Sequence, residues 1–327
     1  SSLNDKIKIE LLKKDHKVYK LIQIKKGRIY TDYVENVAII NKNSIVADIS
    51  YQQIKGELKD VTKNVVLKKG TPRLKKNYVG NVFSLVQGAS GNNYFHWLFD
   101  ILPRLLILEK NFKIEDIEYF YLPDLRPWQL KSLSVFNIDK TKLINSKKNR
   151  HIVADNVIAT SHPWYEKGYV LNEAKNLPKW IIDEINLKYN KFAQKFDCNP
   201  NFFIDRRESQ YSHCQIINDE EIKEFLIKKN FSVYKVGELS FFEQIYLFQN
   251  AKTIIGAHGA AFANLVFCNP GAKIVEIIPK DHPNNVDQII SNYRGLKFNF
   301  IKTNKLKDDK KINGDIYLPI KEIEKFI

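Results

Sequence analysis

The chain has 327 residues, 44% hydrophobic and 27% charged, so it can bury a sizeable core, splits naturally into two domains and is too apolar to be disordered. A formal charge of +15 invites a nucleic-acid reading, but only 8 of the 52 basic residues are Arg and the lysines are scattered. There is no zinc finger, RNP signature or basic helix, so nucleic acid is not an expected partner; anionic lipid headgroups and acidic, nucleotide-bearing substrates are. No apolar run approaches the ~20 residues of a membrane span and no secretory leader pattern opens the sequence. Cys198, Cys214 and Cys268 are odd in number and lack metal-ligand spacing, so they read as reduced thiols of a cytosolic protein. The start at Ser1 and the absence of Met predict a trimmed chain with a segment missing upstream.

Short strands are predicted first: Val18 to Ile24, Val37 to Ile40 and Ser44 to Ile49, broken by Gly27, Asn41 and Asn43. Asn81 to Val86 is a further strand, followed by the polar loop 88–92. A helix runs from about Asn93 and is kinked near Pro103. A buried strand at 118–122, a helix at 127–137, a short strand at 141–144 and a strand at 152–159 follow. An amphipathic helix is predicted over 173–196, with Pro178 in its first turns. From Asn199 onwards strands and helices alternate: strand 202–204, helix 219–229 behind Asn218, strand 231–236, helix 240–250 with a Ser240/Glu243 capping box, strand 252–255, a glycine turn, a helix and strand 273–278. That alternation predicts a parallel α/β sheet. The fold class expected is α/β, two Rossmann-like domains facing a cleft, with a β-rich N-terminal segment. The domain boundaries expected are 1–80 for that segment, 81–197 for an acceptor-side α/β domain, 198–305 for a nucleotide-binding α/β domain and 306–327 for a tail.

Three constellations carry chemistry. The first is the turn after strand 252–255, where Gly256, Gly259, Ala260 and Ala261 leave almost no side-chain bulk and let backbone amides approach an anion. His258 within it can donate to a diphosphate, Asn264 follows, and Glu276, expected at the far end of the next strand, can accept both hydroxyls of a ribose. A bare tight turn with a capping His is the structural alternative. The second is Asp205-Arg206-Arg207 directly after a strand, where guanidinium forks suit phosphate oxygens and Arg206 is the better placed; a surface ion-pair cluster is its alternative. The third is the run 92–104. His96 and Asp100 are spaced i, i+4 and share a helix face, an arrangement that suits a general base, and either member can be it. Asn93, Tyr94 and Arg104 flank the pair on what would be the acceptor side, and Asp100 paired with Arg104 is the structural alternative. Trp164, beside His162, can stack on a sugar; His162 and His213 read as structural. No Asp-x-Asp appears, so no metal is expected.

Together the segments NYFHWLFDILPRL (93–105), FIDRRES (203–209), IINDEE (216–221) and IIGAHGAAFANLVFCNPGAKIVEIIP (254–279) resemble glycosyltransferase family 61, over roughly residues 80–300. The resemblance implies a GT-B fold, an inverting mechanism, a nucleotide-sugar donor as substrate, no cofactor and no required metal. It also implies an acceptor hydroxyl on a glycan or lipid-linked glycan, in bacterial capsule or lipopolysaccharide synthesis. His213, Cys214 and Gln215 stand where similar bacterial sequences carry basic residues, and Asp219 stands in place of Glu; both departures bear on donor phosphate contacts. The expected location is cytoplasmic, with peripheral contact at an anionic inner membrane face. The alternatives are a nucleotide-sugar epimerase on a similar scaffold and a non-catalytic nucleotide- or glycan-binding module.

Overall fold

A computed structural model describes residues 7–165, 167–206, 214–283, 285–304 and 314–327. The chain divides into two compact units, Ser1–Glu184 and Ile185–Ile327. Both combine helices with parallel strands, so the protein is of the α/β type. Among the described residues no helix is long and apolar enough to cross a membrane.

In the first unit, β1 (Ile7–Lys14), β2 (Lys17–Lys25), β3 (Arg28–Thr31), β4 (Val37–Asn41) and β5 (Ser44–Ile45) precede the short pair β6 (Gln53–Ile54) and β7 (Glu57–Leu58). Then come β8 (Lys76–Ser84), β9 (Tyr119–Leu122), β10 (Leu143–Asn145), β11 (His151–Thr160) and β12 (Gly168–Tyr169). One sheet is ordered β10-β9-β8-β11-β3-β4-β5, with β2 also on β11 and β1 on β2; β12-β7-β6 form a separate small sheet. The pairs among β10, β9, β8 and β11 are parallel, whereas β2, β3 and β4 pair antiparallel. The parallel part of this unit, β10-β9-β8-β11, is formed within residues 76–160, and the antiparallel strands β1 to β5 precede it in the chain. These early strands are joined by turns too short for the crossover that parallel pairing needs.

The β2–β3 run, β8 and β11 are interrupted at one level. Lys26 and Gly80 have φ of +54° and +93°, and β11 shifts register between Ala154 and Asn156. Asp155 ties the three together, accepting from Gly80 N at 2.9 Å and from Lys26 Nζ. The helix over 94–108 is mostly apolar and is buried from His96 onwards. Pro103 has no N–H to give Phe99, and the helix widens just before it: Trp97–Ile101 is a π turn, closed by Leu102 N–H to Trp97 O. The helix expected over 173–196 is instead broken into Val170–Glu173, a 3-10 turn Ala174–Asn176 and the helix Lys179–Tyr189. Leu177 is extended (φ −61°, ψ 112°), as the residue before a proline prefers.

The second unit holds β13 (Asn201–Ile204), β14 (Ser232–Tyr234), β15 (Thr253–Ala257), β16 (Lys273–Pro279) and β17 (Lys297–Thr303). All neighbouring pairs are parallel, in the order β14-β13-β15-β16-β17. Counted from β13 that is 2-1-3-4-5, a doubly wound order whose direction of winding reverses between β13 and β15. Such sheets bind ligands beyond the carboxyl ends of the strands at that reversal. The inner strands are buried almost throughout, which is why they read as continuous apolar runs. Phe203, Ile255, Val275, Ile277 and Ile301 form the core of one sheet face with Ile222 and Leu226 of the helix Asp219–Lys228.

Candidate active site

On the first unit, the helix over 94–108 begins at Asn93, whose Oδ1 caps His96 N at 3.1 Å. One turn on, His96 Nδ1 lies 2.7 Å from Asp100 Oδ2. Asp100 is fully buried and ringed by donors. Trp164 Nε1 reaches Oδ1 and Gln87 Nε2 reaches Oδ2, each at 2.7 Å. His162 Nε2 stands 3.6 Å from Oδ2. Burial alone would raise this carboxyl; the facing His96 and His162 outweigh it and hold Asp100 well below the usual carboxylate range. His162 Nδ1 accepts from the amides of Trp164 and Tyr165, both at 3.3 Å, so its proton sits on Nε2 and points at Asp100. Burial pushes His162 down to about 4 against the pull of Asp100.

Hydrogen-bond direction fixes the rest of the network. A guanidinium only donates, so the atom of Gln87 that meets Arg104 Nη2 is its oxygen. The Gln87 nitrogen then faces Asp100 and Gln53 Oε1, the latter at 3.1 Å. The Gln53 nitrogen is left 3.3 Å from His96 Nε2, which must accept. The assignment from the network is therefore the Nδ1–H tautomer of His96, with its lone pair on Nε2. Four of the seven buried side-chain polar atoms that lack a partner among the described residues surround this network: Arg104 Nε, Thr160 Oγ1, His162 Nε2 and Tyr165 Oη. Unsatisfied groups concentrated in this way are unusual in a purely structural core.

Three positions behave differently from the sequence expectation. Trp164 is 2% exposed, packed on Tyr165 and committed to Asp100, so it has no free face for a sugar. Arg104 is 1% exposed, lies over the Tyr51 ring at 4.6 Å and holds Gln87, so it neither meets an acceptor nor hydrogen-bonds to Asp100 directly. Tyr94 is half-buried, with its ring 5.0 Å from Trp128, and remains reachable.

On the second unit, Arg206 follows β13 and His258 follows β15, so both stand at the reversal of the winding. Arg206 Nη1 donates to His258 O, and its guanidinium lies flat against Gly259, where a Cβ would come within 2.5 Å of Cζ. Asp205 is buried rather than on the surface, with Lys223 Nζ at 3.0 Å, which Asp219 also grips at 2.5 Å. Arg207 and His213 lie outside the described residues. After Gly259 a 3-10 helix, Ala260–Phe267, begins with amides that have no acceptor within the helix. Asn264 is buried and holds Gln244 Oε1 at 3.1 Å. Gly256 faces Glu276 across the β15–β16 register, in the middle of β16. Glu276, 1% exposed, is bonded to His258 Nδ1, with Asp287 Oδ2 at 3.5 Å from the same nitrogen. Burial alone would lower His258; Glu276 and Asp287 raise it to about 9. Burial and Asp287 push Glu276 up in turn. One proton is thus held between them, and we place it on His258 because that ring faces both carboxylates. His258, Glu276 and Asp287 each bring a ligand atom within 4.8 Å of the others, a set that could also close on a small cation.

A doubly wound sheet with two cationic side chains at its switch point, in one chain with a buried histidine–carboxylate pair, has the parts of a group-transfer enzyme acting on an anionic substrate. Residues 94–275 match the family model Glycosyltransferase 61. That stretch is more than half of the chain and holds both His96–Asp100 and the 256–264 turn. The chain belongs to glycosyltransferase family 61 and is a glycosyltransferase. No curated protein matches it. Gln53, Gln87 and Asp287 lie outside the matched stretch, and sequence reasoning missed them. Gln87 had one signal, its position between a strand end and a small-residue loop. Gln53 and Asp287 had none.

Proposed function

We propose that the protein is an inverting glycosyltransferase that moves a sugar from a nucleotide-sugar donor to a hydroxyl of a glycan or glycolipid acceptor, in surface polysaccharide synthesis. The observation that carries the reading is the fixed Nδ1–H tautomer of His96, braced from behind by a carboxylate with both oxygens occupied. Asp100, with a donor on each oxygen, serves as the orienting partner, while His96 Nε2 is the base. Its Gln53 contact yields to the acceptor hydroxyl. The acceptor oxygen forms its bond to the anomeric carbon as the bond from that carbon to the diphosphate oxygen breaks. The hydroxyl proton passes to His96 Nε2, and the nucleoside diphosphate leaves with the electron pair. Arg206, the imidazolium of His258 and the amides after Gly259 meet the charge that develops on it. Glu276 holds His258 in its charged form. These cations do what a divalent ion does elsewhere, so no metal is required.

A thermal-shift screen of nucleotide sugars, run with and without EDTA, tests this reading. A true donor raises Tm by mass action, and EDTA leaves the shift unchanged. Arg206→Ala loses one charge-assisted contact, so donor affinity falls about ten- to hundredfold, the equivalent of roughly 1.5–3 kcal/mol. Unchanged affinity in that variant, or a shift that needs Mn²⁺ or Mg²⁺, overturns the donor assignment.

A further inference from the structure

The segment 61–80 carries six cations and no acidic residue. It leaves the short helix Val65–Lys69, crosses a loop and enters β8. Lys68, Lys69, Arg73, Lys75 and Lys76 are all exposed, and none has an ion-pair partner among the described residues. Three aliphatic side chains stand among them with nothing packed over them: Leu67 is 58% exposed, Leu74 94% and Val79 79%. A single exposed aliphatic is ordinary on a protein surface; here three stand within one short cationic segment. The segment is also held in place. Arg28 reaches Thr71 Oγ1 at 3.4 Å and Lys42 O at 2.7 Å, and His151 Nδ1 bonds Arg73 O at 2.7 Å. Lys76 Nζ holds Asn149 Oδ1 at 2.7 Å, which brings the exposed Lys147 and Lys148 alongside.

We propose that this surface is a docking site for an anionic lipid bilayer, with Leu67, Leu74 and Val79 entering the headgroup–acyl boundary and the surrounding lysines meeting acidic headgroups. Charge complementarity together with aliphatic anchors selects the bilayer. Single-stranded nucleic acid is matched by stacking aromatics and Arg forks, and the segment offers one Arg and no exposed aromatic. None of these residues is among the donor and base residues, so the site can fail without the transferase reading failing.

Co-sedimentation with phosphatidylglycerol–phosphatidylcholine vesicles tests it, with pure phosphatidylcholine vesicles and a single-stranded oligonucleotide as the other arms. Binding is expected only to the anionic vesicles, falling as salt is raised. The joint substitution of Lys68, Lys69, Lys75 and Lys76 by Glu lowers binding by about tenfold or more. Leu74→Ser lowers it by about three- to tenfold with no change in charge. The same number of Lys→Glu changes at Lys228, Lys229, Lys252 and Lys321, exposed on the other unit, leaves it nearly intact. No binding to anionic vesicles overturns the proposal. So does equal loss in both charge-reversal variants, which shows a diffuse charge effect, or an oligonucleotide that binds this surface when vesicles do not. Donor-induced thermal shifts in the same variants report on the transferase reading independently.

Discussion

At Asp100 each carboxylate oxygen is met by a donor, and three of these donors have a fixed direction. Asp100→Asn would turn an amide N–H₂ toward either Trp164 Nε1 or the His96 and Gln87 donors, leaving N–H against N–H in a buried site. It is expected to cost about 3–5 kcal/mol of stability, as removal of one member of a buried pair does. Any folded fraction with the N–H₂ toward His96 should also lose turnover, because His96 is then driven to its other tautomer. His96→Ala leaves Asp100 with Gln87, Trp164 and His162, so the fold survives while turnover falls by on the order of 10²–10⁴. Donor affinity measured by calorimetry should not change. Wild-type turnover in a folded His96→Ala variant would remove His96 from the chemistry. The other histidine site speaks through pH. His258 keeps its proton to about 9 when folded, against an ordinary value of 6.5, and Glu276 is raised in the same sense. The folded state therefore binds more protons than the unfolded one across that window. The stability His258 contributes is complete below about pH 6.5 and is lost as pH rises toward 9. Tm should fall over this range in the wild type and fall less steeply in His258→Asn and in Glu276→Gln; a Tm that is level from pH 6.5 to 9 in the wild type contradicts the assignment.

The break shared by β2–β3, β8 and β11 is where single residues shape whole elements. Gly80 sits at φ +93°, and a Cβ there would lie 2.6 Å from the Glu118 carboxylate. Gly80→Ala should therefore cost roughly 1–3 kcal/mol from backbone strain alone, read as a lower urea midpoint with an unchanged m value. An unchanged midpoint would mean that the strand can straighten there. Elements of this kind divide into those the sequence announces and those it does not. The inner strands of the second unit were legible because they are apolar runs, and its turns carry a capping box and glycines; Ser240 and Glu243 cap each other as their spacing implies. β1 was not, because four of its eight residues are charged and its partner β2 supplies the pairing. Neither was β17, an edge strand whose buried alternation is weak. Pro103 announced a kink, but the π turn depends on which carbonyl the helix abandons, and composition does not say. The candidate site divides in the same way. His96 and Asp100 were visible from i, i+4 spacing, whereas Gln53 reaches His96 only through the small sheet β12-β7-β6, across 43 positions of sequence.

Over the whole molecule, the candidate base and the candidate donor contacts fall in different units. His96, Asp100, Gln87 and Gln53 belong to Ser1–Glu184, and Arg206, His258, Gly259 and Glu276 to Ile185–Ile327. Binding of the leaving group alone should therefore register in only one of them. Hydrogen exchange with and without a nucleoside diphosphate reads this directly, because local opening is slowed where a ligand binds the closed form. Protection is expected at the carboxyl ends of β13 and β15 and through the first turn after Gly259, where the winding of the sheet reverses. The amides over 94–108 should exchange at the same rate with and without it, since a diphosphate gives the His96–Asp100 network nothing to bind. An intact nucleotide sugar together with a hydroxyl acceptor should extend protection to that helix, and His96→Ala should leave the first pattern untouched. Protection by nucleoside diphosphate at 94–108 and none after β15 would exchange the roles of the two units. In that case Arg206 and His258 would be structural, and the positive charge that stabilises the leaving group would have to come from the first unit, where Arg104 is buried beneath Gln87 and over Tyr51.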